Sequence, residues 1–170
     1  MNELERLERK LCRELSQSEH SAIAQPRREA RRLGDTPPGD ALRAIAAHAQ
    51  AMRPRLDALL VRRATRRGVR LGALVGEIFS LARHVLGDRV IDTERSYRGT
   101  LLGLDHGADI VRMLSAIADH QGDERLAVFC REWLDGRLAL IERARGELAW
   151  FVREPRAALV SGFRRALATR

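Results

Sequence analysis

Apolar residues recur every three or four positions along most of the chain, which is the period of one face of a helix. Near the amino terminus Asn2 is followed three residues later by Glu5, the spacing of an N-cap and its capping-box partner. A first helix is therefore predicted from this cap to about Ala24, and Pro26 is expected to end it. Its apolar stripe consists of Leu4, Leu7, Leu11 and Leu15.

The segment of residues 26–40 is rich in Arg, Pro and Gly and lacks helical periodicity, so it is predicted to be a flexible connection. A second helix follows. Pro54 is expected to kink it, because the proline ring removes one backbone hydrogen bond and clashes with the preceding turn. One face of this helix carries Ala41, Ile45, His48, Met52, Leu56, Leu59 and Leu60.

The middle of the chain predicts two further helices. The first covers about residues 71–86, and the second covers about residues 93–120 with Asp92 as its N-cap. Gly122 and Asp123 then provide a C-cap glycine followed at once by a new N-cap. The next helix must therefore double back as a tight antiparallel hairpin.

That returning helix is predicted over about residues 124–152. A short amphipathic helix, residues 155–170, should begin at Pro155, since proline is favoured in the first turn of a helix. The apolar face of this last helix carries Leu159, Phe163 and Leu167.

Together these elements predict an all-α fold, an antiparallel up-down bundle of four long helices with one or two shorter ones. The length of 170 residues suits a single domain, residues 1–170. The apolar fraction of 45% excludes wholesale disorder, and only 4% of the residues are aromatic, so Leu, Ala, Ile and Val must fill the core.

Cysteine usage and the absence of a targeting signal predict a cytoplasmic protein. Cys12 and Cys130 are isolated on predicted helices, which indicates buried free thiols and not a zinc or CxxC site. Residues 1–10 alternate acids, bases and leucines, unlike a secretory signal. No apolar run approaches the roughly 18 residues that a transmembrane segment requires.

Two sets of glycines are spaced by four residues inside predicted helices. Each interior glycine costs about 1 kcal/mol relative to alanine, so the spacing calls for a compensating contact. We interpret each set as a ridge where a neighbouring helix approaches closely, within one chain or between two. The alternative is a flat floor for a planar ligand. The two sets are Gly68, Gly72, Gly76 and Gly99, Gly103, Gly107.

Polar residues on apolar faces are candidates for chemistry, because burial of such a group requires a partner. His48 lies on the apolar face of the second helix, and His106 falls on a line with Leu102, Ile110, Met113 and Ile117. Each is also consistent with a hydrogen-bonded core histidine. Further candidates for the bundle interior are Glu14, Glu132 and Asp135.

Three sequence runs resemble the ferritin-like superfamily, in particular its small bacterial stress-type members with two helical hairpins joined by a crossover. These runs are LRAIAAHAQAMRPRLDALL, TERSYRGTLLGL and REWLDGRLALIERA. With the order of the helices, the resemblance covers most of residues 3–150. It implies a four-helix bundle with a dimetal site made of one Glu on each of two helices and a Glu-x-x-His pair on each of the other two.

The chain departs from that ligand pattern, because no Glu is followed three residues later by His. Glu94 and His106 cannot share a metal, since twelve residues of helix separate them by about 18 Å. A mid-bundle layer of Glu14, His48, His106 and either Glu132 or Asp135 is the remaining candidate for an iron or manganese site. We expect a bundle without a competent metal site.

The formal charge of +8 points to an acidic partner, but Lys10 is the only lysine, and a GC-rich genome would favour arginine in the same way. The strongest cluster could contact nucleic-acid phosphates without reading bases. Solvated arginines with acidic helix partners are the simpler interpretation. The cluster consists of Arg62, Arg63, Arg66, Arg67 and Arg70.

The sequence thus predicts a binding or structural module that forms a homo-oligomer, with no catalytic motif of the nucleophile-elbow or phosphate-loop type. A metal-binding bundle with a redox or storage role is one alternative, and an arginine-dependent nucleic-acid-binding protein is another. Expected aromatic anchors of a core or an interface are Trp133, Trp150, Phe151 and Phe163.

Overall fold

The computed structural model describes residues 2–66 and 92–160, and within these ranges every regular element is a helix. The predicted all-α class is thereby confirmed. The helices are α1 (Glu3–Leu33), α2 (Pro37–Arg66), α3 (Thr93–Gln121), α4 (Glu124–Gly146), α5 (Leu148–Arg153) and α6 (Pro155–Ala158). The predicted helix over residues 71–86, the glycines Gly68, Gly72 and Gly76, and the residues Arg67, Arg70, Phe163 and Leu167 lie outside the described residues.

Helix α1 begins as predicted but ends nine residues later than predicted. The Asn2 side chain accepts a hydrogen bond from the Glu5 backbone N–H and the Glu5 carboxylate accepts one from the Asn2 N–H, so the capping box is confirmed. The helix continues through Pro26, which is buried, to Leu33. The prediction of an end at about Ala24 is wrong, because packing of the buried face outweighs the helix-breaking tendency of one proline.

The predicted flexible connection over residues 26–40 is also wrong, since only residues 34–36 separate α1 from α2. Gly34 has a φ of 68°, a conformation that a side chain would disfavour, and it turns the chain. Thr36 accepts a hydrogen bond from the Gly39 N–H at the start of α2. Prolines follow at the first helical positions, where their missing N–H costs nothing.

The turn between α3 and α4 is the one that the sequence predicts. Gly122 adopts the left-handed conformation with a φ of 65°, and the Asp123 side chain accepts a hydrogen bond from the Leu126 N–H. Helix α4 ends at Gly146, however, so the predicted helix over residues 124–152 is two helices, α4 and α5. Helix α6 begins at Pro155 as predicted but ends at Ala158, so the predicted helix over residues 155–170 is wrong at residues 159 and 160, and residues 161–170 lie outside the described residues.

Each of these turns joins two helices that run in opposite directions. In the first hairpin, Arg63 near the end of α2 donates to Glu8 near the start of α1. In the second, Tyr97 near the start of α3 donates to the Ala144 carbonyl near the end of α4. Helix α1 also packs against α3, and α2 packs against α4.

The apolar core consists of two clusters stacked along the helices. The first contains Leu11, Leu15, Leu56, Val111, Leu114 and Trp133 among its buried members. The second contains Leu42, Ile45, Tyr97, Leu101, Ile141 and Phe151, with Trp150 packed against it. Trp133, Trp150 and Phe151 thus belong to the core of the chain itself.

No helix in the two described ranges is both long enough and apolar enough to cross a membrane.

Candidate functional site

A buried ion pair lies where the two apolar clusters meet. An NH2 nitrogen of Arg137 on α4 is 3.0 Å from Oε2 of Glu19 on α1, and both side chains are 1% exposed. Along α1 the first cluster includes Leu15 and the second begins at Ala22, so Glu19 falls between the two clusters. Arg137 falls between Trp133 and Ile141 in the same way. The pair therefore forms a charged layer halfway along the core.

His48 on α2 belongs to the same layer. Nε of Arg137 donates to Nδ1 of His48 over 3.1 Å, so this nitrogen must be unprotonated. Burial and then the Arg137 charge lower the pKa of His48 to about 4. The imidazole also rests on Gly136, where an added Cβ would lie 2.4 Å from Nε2. His48 is consequently a neutral acceptor that orients the guanidinium.

Trp133 covers the guanidinium from the previous turn of α4. The guanidinium carbon of Arg137 lies 4.6 Å from the centre of the indole ring, within the range of a cation–π contact. Burial raises the pKa of Glu19, and the charge of Arg137 and the nearby indole partly offset this effect. Among the described residues, neither the indole nitrogen of Trp133 nor Oε1 of Glu19 has a hydrogen-bond partner.

A second ionic network closes the end of the bundle where α1 begins. Glu8 is fully buried, 2.7 Å from a guanidinium nitrogen of Arg63, and it also accepts a hydrogen bond from Gln121. The other Arg63 nitrogen donates to Asp123 over 2.9 Å. Arg63 thus joins α1 and α2 to the turn between α3 and α4.

The structure does not bring the predicted interior residues together. His106, Glu132 and Asp135 are exposed, and Glu132 pairs with Arg55 at the surface. Glu14 and His106 line the same open cavity of about 200 Å³ between α1 and α3. Only His48 belongs to the interior layer. The predicted mid-bundle layer of Glu14, His48, His106 and either Glu132 or Asp135 is wrong, because His106, Glu132 and Asp135 are exposed.

The residues present do not fit the dimetal site that the ferritin-like resemblance implies. No group of three or more His, Cys, Asp or Glu side chains in residues 2–66 and 92–160 is arranged to hold a metal ion. At the middle of the bundle, His48 and Glu19 both bind the guanidinium of Arg137. A fixed positive charge between two potential ligands repels a cation.

The glycine ridge on α3 meets a neighbouring helix at one of its three positions. At Gly107 an added Cβ would lie 2.6 Å from Oγ of Ser18 on α1, which is a close helix contact. Gly99 and Gly103 are exposed, and an added Cβ would meet nothing within 4 Å. Within the described part of the chain, the predicted close helix contact is present at Gly107 and absent at Gly99 and Gly103, and a contact of the latter two with a second chain stays a prediction.

Part of the arginine cluster has internal partners. Arg63 forms salt bridges with Glu8 and Asp123. Arg53, which precedes the cluster on α2, forms a salt bridge with Asp57 of the same helix. Arg62 is exposed. The side chain of Arg66 is not among those described. The pairing of Arg63 reduces the charge that this face offers to phosphates.

Both cysteines are buried and neither forms a disulfide bond, as predicted. They belong to the same apolar cluster although they lie on different helices. Burial, followed by the neighbouring Cys12, raises the pKa of Cys130 to about 12. The thiolate, which is the reactive form, is strongly disfavoured at this position.

The ion pair was not predicted, although the spacing of its two residues in the sequence indicates that both face the core. Glu19 follows Leu15 by four residues, and Arg137 follows Trp133 by four, so each charge lies on a core-facing stripe. Glu14, by contrast, is adjacent to Leu15 and therefore points about 100° away around the helix. Two opposite charges on different helices, each four residues after a core residue, would therefore have predicted the pair.

In comparisons with known proteins, no family model, no curated protein and no solved structure matches the chain.

Proposed function

We propose that this chain is a ferritin-like helical bundle whose interior is held by an ion pair in place of metal ions, and that it works as a binding or structural module. The order of the helices supports this class. Helices α1 and α2 form one hairpin, α3 and α4 form the other, and the pairs α1–α3 and α2–α4 pack between them. In such an arrangement α1 and α4 are diagonal, so only inward-pointing side chains can join them across the core.

The observation that carries the proposal is the position of Arg137. Its guanidinium reaches Glu19 across that diagonal and is buried to 1% exposure. In the ferritin-like class the corresponding interior space holds metal ions bound by carboxylates and histidines. Here a carboxylate and a histidine are present, but their charge and hydrogen-bonding needs are met by the arginine.

Metal analysis tests this proposal. Protein purified without chelators should carry far less than one iron or manganese per chain, and excess Mn²⁺ should leave the melting temperature unchanged, since a ligand of the native state would raise it. About two metal ions per chain, lost on His48→Ala with Glu19→Ala, would overturn the proposal and favour a redox or storage role.

A further inference from the structure

The outer face of α3 carries a second helical stripe, on the opposite side of the helix from the buried residues Leu101, Leu104 and Ala108. Its members are separated alternately by four and three residues, which is the heptad spacing of a coiled-coil seam. All eight are exposed. They are Arg95, Gly99, Leu102, His106, Asp109, Met113, Ala116 and His120.

Four residues of this outer stripe are apolar or small, and the other four, Arg95, His106, Asp109 and His120, are charged or polar. Leu102 is 73% exposed and Met113 is 46% exposed, although the chain as a whole is 32% charged. Gly99 leaves open space beside them. A surface helix ordinarily presents charged residues on this side, so two large exposed apolar side chains on one stripe, with Gly99 and Ala116 beyond them, favour a covering partner.

We infer that the outer stripe of α3 is the interface of a homodimer, in which α3 packs against α3 of a second copy in the antiparallel direction. A twofold axis between His106 and Asp109 would map the stripe onto itself, because its spacing is the same when read from either end. This inference rests on the proposed module and names its partner as a second copy of the chain.

The antiparallel register pairs residues of matching size in the central part of the stripe, and at its two ends Arg95 faces the partner's His120. Leu102 faces the partner's Met113, and Gly99 faces the partner's Ala116, so each large side chain meets another and each small one allows close approach. His106 faces the partner's Asp109, which places a hydrogen-bonding pair beside the axis. Every contact occurs twice by symmetry.

Charges beside the stripe select the same register. On the α4 side of the stripe, Arg98 would face the partner's Asp119, and Asp105 would face the partner's Arg112. Both flanking pairs therefore join residues of opposite charge. A parallel pairing in register would instead set Asp109 against the partner's Asp109, and like charges at an interface are unfavourable.

Three of the four side chains that would form these flanking pairs, Arg98, Arg112 and Asp119, are exposed, whereas Asp105 is about 40% exposed and pairs with Arg145 on α4 over 2.8 Å. Arg98 and Arg112 are 59% and 53% exposed, and their partners in the chain, Glu94 and Asp109, lie one turn away on the same helix. Such local exposed pairs contribute little to stability, so they can exchange for pairs across an interface at small cost.

Analytical ultracentrifugation of the full chain tests the interface. The wild-type protein should sediment as a dimer, and Leu102→Arg should weaken dimerisation at least tenfold, because it places a charge in the apolar layer. Val152→Arg is the matched control, since Val152 is 82% exposed and lies outside α3. It should leave the dimer unchanged, and circular dichroism should show native helix content in both variants.

A charge exchange tests the register. Arg98→Asp should weaken the dimer by setting two acids face to face, and addition of Asp119→Arg in the same chain should restore it. A wild-type monomer at all concentrations would overturn the interface, as would a dimer insensitive to Leu102→Arg or an exchange without rescue. A dimer that binds about two metal ions per chain would overturn the proposed function and leave the interface standing.

Discussion

The guanidinium of Arg137 lies over the indole ring of Trp133, 4.6 Å from the ring centre and one helical turn further along α4. Both side chains are buried. With Glu19 and His48 on its other sides, the guanidinium is held by three different helices. This arrangement offsets the cost of burying a charge in the core, which is large when a charge is unpaired.

Removal of the arginine charge should destabilise the fold strongly. Arg137→Met keeps the length of the side chain but leaves Glu19 buried without its partner, and the loss of one member of a buried pair costs about 3–5 kcal/mol. We expect the free energy of unfolding in urea to fall by an amount of this order.

Arg145→Met is the matched control for this substitution. Arg145 also pairs with a carboxylate, Asp105, but both side chains are about 40% exposed. Loss of such a surface pair should cost less than about 1 kcal/mol. Equal effects at the two arginines would contradict a structural role for the buried pair. Arg137→Met combined with Glu19→Gln should recover part of the loss.

Acid should destabilise the protein through His48. The pKa of His48 falls from 6.5 to about 4 on folding, so the unfolded chain binds its proton first as the pH falls. The free energy of unfolding should therefore be intact above about 6.5 and decrease between about 6.5 and about 4, by up to about 1.4 kcal/mol per pH unit. Urea unfolding curves across this range measure the slope.

The variant His48→Asn isolates this contribution. The amide oxygen can accept the Arg137 hydrogen bond and does not titrate, so the slope assigned to His48 should disappear. Burial raises the pKa of Glu19, which acts with the opposite sign in its own range. Because Glu19 is present in both proteins, the difference between the two curves reports His48, and identical curves would refute the assignment.

Gly136 should not tolerate even a methyl group. An added Cβ would lie 2.4 Å from Nε2 of His48, so Gly136→Ala must displace the imidazole from Arg137. We expect a loss of about 1–3 kcal/mol, the usual cost of overpacking a core. At Gly146 an added Cβ meets nothing within 4 Å, and Gly146→Ala should stabilise the helix by up to about 1 kcal/mol. Thermal unfolding distinguishes the two signs.

Cys130 should react with thiol reagents only when the protein opens. Burial raises the pKa of its thiol to about 12, so almost no thiolate forms at neutral pH in the native state. Iodoacetamide labelling followed by mass spectrometry should therefore be slow at Cys130 and rapid in urea. A cysteine introduced by Val152→Cys, at a position 82% exposed, should label at once and serves as the internal control.

Helix type, caps and turns could be predicted from the sequence where local rules decide them. The Asn2 capping box and the left-handed Gly122 depend on a few neighbouring residues, and both are present. The end of α1 could not be predicted from Pro26, because the cost of a proline is local, whereas the packing that compensates it involves α2 and α3, which are distant in the sequence.

The interior layer was harder to predict, because helical faces must be assigned to within a fraction of a turn. The line through Leu102, His106 and Met113 is apolar, yet it is the outer face of α3. The buried face is the neighbouring stripe through Leu101, Leu104 and Ala108. The sequence alone does not show which of two apolar stripes on one helix is buried, because this depends on the neighbouring helices. His106 lies on the stripe that is exposed, and it was therefore wrongly predicted to be inside the bundle.

The charged layer also affects which hairpins can associate with each other. Glu19 belongs to the α1–α2 hairpin and Arg137 to the α3–α4 hairpin, 118 residues away. If two copies of the first hairpin assembled, two carboxylates would face each other in an apolar interior, and two copies of the second would confront two guanidiniums. Association of two like hairpins is thus disfavoured by electrostatic repulsion. Association of an α1–α2 hairpin with an α3–α4 hairpin is favoured, because it forms the central ion pair.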